Sequence, residues 1–103
     1  MQMNLYWSGH LDLAKYDNEP RRQRAANMLV GMFRKRYERY LEAPDRISVN
    51  FCLEDSTISL WSCVFKDVPS ESLINEAKAC LEEIVRVMNS IDKQRLDTPP
   101  RGS

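Results

Sequence analysis

Glycine is scarce in this chain: Gly9, Gly31 and Gly102 are the only three in 103 residues. They make no glycine-rich loop, which excludes a phosphate cradle of the nucleotide-binding kind. Histidine is scarcer, with His10 alone. His10 has Asp12 and Asp17 nearby, but no second His or Cys stands at ligand spacing to complete a metal site. Cys52, Cys63 and Cys80 form an odd set without CxxC spacing, so neither a disulfide framework nor a zinc site is written here. A nucleophilic cysteine needs an adjacent base, and the one histidine is distant in sequence. These absences leave no catalytic residue, no cofactor and no metal site to assign, and the chain is expected not to be an enzyme. Charge of one sign is also missing, since 15 Lys+Arg balance 15 Asp+Glu. Global charge therefore gives no pull toward nucleic acid or an anionic membrane. No run approaches the roughly 20 apolar residues of a membrane-spanning helix.

Met1 to Gly9 lacks the basic start and long apolar run of a secretory signal. With its thiols unpaired, the chain reads as cytoplasmic. A hydrophobic fraction of 43% suits a globular domain. A chain this short buries roughly 60–65% of its unfolded surface, enough for one modest core. One domain is expected over residues 1–97, and Thr98 to Ser103 reads as a flexible tail by composition.

What is present has a clear order. Met3 to Ser8, with Leu5, Tyr6 and Trp7, reads as a short strand ending at Gly9. Asn18 is a plausible N-cap, with Glu19 and Pro20 in the first turn. A helix then runs to about Glu42 and stops before Pro44. Its core stripe is Ala26, Leu29, Val30, Phe33, Tyr37, Tyr40 and Leu41. Gly31 in mid-helix costs about 1 kcal/mol relative to Ala, which suggests a close approach by another backbone or a partner. Ser70 caps a second helix from about Glu71 to Arg95, with Ile74, Ala77, Leu81, Ile84, Met88 and Ile91 as its stripe, flanked by Leu73, Cys80 and Val87. The expected fold is α+β in the order β-α-β-β-α, a two-layer sandwich with both amphipathic helices on one face of a small sheet.

Between the helices, Ile47, Val49, Phe51 and Leu53 alternate with polar residues, the signature of a half-buried strand. Asp55-Ser56 supplies turn chemistry. With those two residues as the loop, Leu53 faces Ile58, Phe51 faces Leu60, Val49 faces Ser62 and Ile47 faces Val64. The opposite face then carries Asn50 and Cys52 on one strand and Trp61, Cys63 and Phe65 on the other. This register separates Cys52 from Cys63 by four residues, roughly 13 Å, beyond disulfide reach. An apolar stripe on a solvent face marks an interaction surface. Trp61, Cys63, Phe65 and Asn50 are accordingly the expected interface.

The first helix adds a basic band: Arg21, Arg24, Lys35 and Arg39 lie opposite its core stripe, with Met28 and Met32 between them. Its reading is a solvated face, a grip for phosphates, or a contact for an acidic protein. In outline the order, with a leading strand Met-Gln-Met-Asn-Leu, resembles ribosome-hibernation and double-stranded-RNA-binding domains. Those domains carry three strands between the helices, where this chain has room for two. No motif matches residue by residue, so the resemblance transfers no site. The expected function is that of a small interaction protein of accessory, regulatory or inhibitor type. It works through the sheet face, as a homodimer or with one protein partner. An RNA- or DNA-associated domain using the basic band is the alternative.

Overall fold

The computed structural model describes residues 3–91. Within them the chain forms β1 (Met3–His10), α1 (Glu19–Tyr37), β2 (Ser48–Cys52), β3 (Thr57–Phe65) and α2 (Glu71–Ser90). This is the expected β-α-β-β-α order, a three-stranded antiparallel sheet with two helices. The extension of the second helix to Arg95, the domain end at 97 and the tail over 98–103 fall outside the described residues.

Both expected caps form. The Asn18 side chain accepts from the Arg21 N–H at 2.9 Å, and the Ser70 hydroxyl accepts from the Leu73 N–H at 3.1 Å. Each satisfies one of the donors that a helix start leaves without a partner. α1 buries Ala25, Leu29, Phe33 and Tyr37, while Ala26, Val30 and Tyr40 are only half-buried. The helix ends at Tyr37 rather than near Glu42, tightens into a 3-10 turn over Glu38–Tyr40, and leaves Leu41 extended. The sheet is the reason. Leu41 bridges to Phe65, the Glu42 N–H donates to the Val64 carbonyl at 2.8 Å, and the Lys66 N–H donates to the Tyr40 carbonyl at 2.9 Å. β3 thus takes as a partner a segment that sequence periodicity assigns to the helix. In α2, Ala77, Leu81, Ile84 and Met88 are buried as expected, together with Cys80 and with Val85, which the expected stripe omits. Val87 is instead exposed.

The strand order is β1-β3-β2, with both neighbours antiparallel to β3. β1 and β2 therefore run parallel, separated by β3, a split β-α-β unit. The hairpin register differs from expectation by two residues: Phe51 pairs with Ile58, Val49 with Leu60 and Cys52 with Thr57. The loop is Leu53–Ser56, not Asp55-Ser56, and Ser56 closes it at φ 53°. A shift of two preserves which face each side chain takes. Val49, Phe51, Ile58 and Leu60 still point toward the helices.

The larger departure lies further along β3. Trp7 pairs with Leu60 but Leu5 with Cys63, so Trp61 and Ser62 together stand opposite Tyr6. This is a β-bulge, and Ser62 takes φ 58° within it. One inserted residue swaps the faces of everything after it. Cys63 and Phe65, expected on the open face, are 0% and 1% exposed in the core. Ser62, expected in the core, is exposed and Val64 is half-buried. Of the three expected apolar residues, only Trp61 remains outside.

Two stability outcomes follow from this geometry. Phe65→Ala deletes a fully buried ring and should cost about 3–5 kcal/mol. Phe51 is only half-buried, so Phe51→Ala should cost about half as much. Chemical denaturation of both variants checks the order, and the reverse order would place Phe65 outside the core. At the bulge, Ser62→Val should lose about 2 kcal/mol, because a β-branched residue resists positive φ. Ser62→Gly should match or slightly exceed wild type in the same measurement.

Candidate functional site

Alternation along the strands leaves one side of the sheet without a helix. It carries Asn4, Tyr6, Ser8 and His10 from β1, Ser48, Asn50 and Cys52 from β2, and Thr57, Ser59, Trp61 and, past the bulge, Val64 from β3. None is Asp, Glu, Lys or Arg. All three strands in fact lack those residue types, although 29% of the chain is charged. Within this face Tyr6 and Trp61 are 53% and 45% exposed. Their rings meet edge to face, centroids 4.8 Å apart and planes at 72°, the geometry favoured by ring quadrupoles. A hollow of about 370 Å³ opens beside them, lined by Asn4, Leu5, Tyr6, Trp61 and Ser62. Trp61 faces Tyr6 in simple continuation of the Trp7–Leu60 register, and the bulge inserts Ser62 beside the pair. Next to the pair, the Ser59 hydroxyl donates to the Ser8 hydroxyl at 3.3 Å, and Asn50 stands across from Ser59.

Tyr6 is the residue that the expected interface omits. Its signal is present in the first strand, where Leu5 and Trp7 alternate with Tyr6 and Ser8. Trp7 turns the other way and is 6% exposed. Its ring lies over Gly9, where an added Cβ would stand only 2.5 Å from it. A glycine is what lets that ring lie flat. Gly31, by contrast, would place a Cβ in open space. The expected close approach to Gly31 is not made within the described residues. It instead lines a groove of about 490 Å³ between α1 and β2.

The basic band is dispersed. Arg21 pairs with Asp17 at 2.5 Å, and Arg39 donates to the Tyr40 hydroxyl at 2.9 Å with its guanidinium 4.9 Å above that ring. Met28 packs against the core rather than on the outer side of the helix. Lys35 and Met32 line a second groove, of about 320 Å³, shared with Cys80, Glu83, Ile84 and Val87 of α2. The flanking arginines have acidic neighbours too, Arg34 with Asp45 at 3.3 Å and Arg36 with Glu76 at 3.9 Å. Such exposed pairs contribute little to stability, but they reduce the charge a phosphate would meet.

His10 is exposed at the end of β1, and its carbonyl accepts from the Asn89 side-chain amide at 3.0 Å. No cluster of three metal-ligating side chains occurs among the described residues. No helix among them is long and apolar enough to cross a membrane. All three cysteines are free thiols. Arg36 donates to the Cys80 sulfur at 3.7 Å, and Cys52 donates to Asp55 at 3.3 Å. Burial pushes the Cys63 thiol up from 9.0 to about 12. Burial, and then the charge of Asp12, raises Tyr16. Tyr37 is raised first by burial, then by Cys80 and Glu76. In comparison with known proteins, the chain matches no family model, no curated protein and no solved structure.

The thiols give a direct check on this arrangement. In native protein at pH 8 an aromatic disulfide reagent should label the half-buried Cys52 first, and Cys63 only after unfolding. Cys63 also makes stability depend on alkaline pH. Below about pH 9 both folded and unfolded states keep its proton, and its contribution is complete. Between 9.0 and about 12 the unfolded chain ionises and the folded one does not, so stability falls by up to about 1.4 kcal/mol per pH unit. Urea midpoints from pH 8 to 11 should therefore drop more steeply in wild type than in Cys63→Ala. Equal slopes would mean that Cys63 ionises in the folded protein.

Proposed function

We propose that this chain is a small, non-catalytic protein-binding domain of accessory, regulatory or inhibitor type. Its docking surface is the helix-free face of the sheet. The observation that carries the reading is the exposed Tyr6–Trp61 pair at the bulge, set in a face without a charged side chain. Interface centres are depleted in charge and enriched in aromatic residues, and Trp and Tyr are over-represented among the residues that dominate binding energy. The serines and asparagines around the pair offer hydrogen bonds at small desolvation cost.

Size bears on the partner. Three strands about 4.8 Å apart, of eight, five and nine residues, present a face of at most roughly 14 by 27 Å. That is roughly 400 Å², about half of what each partner contributes to a standard interface. A homodimer through this face alone is therefore weak and transient. A different protein, reaching past the sheet onto neighbouring loops, fits better. The nucleic-acid alternative is less favoured, because Arg21, Arg34 and Arg36 of α1 are drawn to Asp17, Asp45 and Glu76 and the sheet face brings no Lys or Arg of its own.

Trp61→Lys separates docking from packing. The variant should keep the wild-type circular dichroism and lie within about 1 kcal/mol of its stability, as expected for an exposed site. In sedimentation velocity over a dilution series, any self-association of wild type should weaken at least tenfold. The same loss should appear with any protein partner later identified. A Trp61→Lys variant that loses several kcal/mol would make Trp61 a packing residue of the bulge. Tight, salt-sensitive binding of RNA or DNA by wild type, lost in Arg24→Glu/Lys35→Glu, would promote the alternative.

A further inference from the structure

We draw no further inference here: the strongest candidate, the apolar groove of about 320 Å³ that Met32, Cys80, Ile84 and Val87 line between α1 and α2, carries nothing, because nothing in the structure shows what covers it and its rim charges are already paired within the chain, Arg36 with Glu76 and Glu83 with Arg86.

Discussion

Ser62 sits in the left-handed region, at φ 58°, in the middle of the central strand. One extra residue there decides where every later side chain of β3 points. Before it, Ile58 and Leu60 face the helices; after it, Cys63 and Phe65 do. Without the bulge the alternation would carry Cys63 and Phe65 into water and bring Ser62 and Val64 inward. The core would then lose a phenylalanine and gain a hydroxyl, a change of several kcal/mol. Left-handed backbone costs a non-glycine residue about 1–2 kcal/mol, so core burial wins and the strained serine persists. Trp61, just before the face swap, keeps the open face of Ser59 and stands opposite Tyr6.

A second constraint holds the far end of the molecule. Asn89, near the end of α2, accepts the Asp12 N–H at 2.7 Å and donates to the His10 carbonyl at 3.0 Å. Lys15 donates to the Asn89 carbonyl, and the buried Tyr16 hydroxyl donates to the Met88 carbonyl at 2.9 Å. Carbonyls that a helix C-terminus leaves without partners are satisfied by a loop more than 70 residues earlier in the chain. Leu11 and Tyr16 are fully buried in that loop. The connection between β1 and α1 is thus part of the core, and it holds α2 over β1.

Some of this was legible in the residues and some was not, for identifiable reasons. The two caps, Asn18 and Ser70, carry local chemistry and read directly. So do the element order and the helix-facing side of the hairpin, because a register error of two residues leaves the faces unchanged. The bulge left no such mark. A glycine at position 62 would have announced positive φ, but serine in an apolar-polar alternation reads as an ordinary strand residue. Loop residues 11–18 look polar, and the burial of Leu11 and Tyr16 goes with bonds to Met88 and Asn89 at the end of α2, which no local pattern reveals. The end of α1 was missed because the hydrogen bonds of residues 40–42 go to β3, a tertiary preference that outweighs helical periodicity.

Charge is segregated in this protein with unusual completeness. The chain is balanced overall, yet all its Asp, Glu, Lys and Arg residues lie outside the three strands. Helices and loops keep the molecule hydrated, while one face of the sheet and both its edges carry none of the charges that commonly discourage association. The two edges are not equivalent. Beside β1 the Trp7 indole fills the space over Gly9, and its rim holds Glu82 and Arg86 of α2. Beside β2 the space is lined by Gln23, Asn27 and Arg34 of α1 together with Val30, Val49 and Phe51, and Gly31 adds no side chain to it. An edge filled by its own tryptophan is protected by sterics rather than by charge. An edge left open beside half-buried valine and phenylalanine is an aggregation liability unless something covers it. Natural chains guard such edges cheaply with a single lysine, and this chain, with 15 basic residues elsewhere, places none there. The neutral sheet surfaces therefore carry no charge of their own that would oppose a contact.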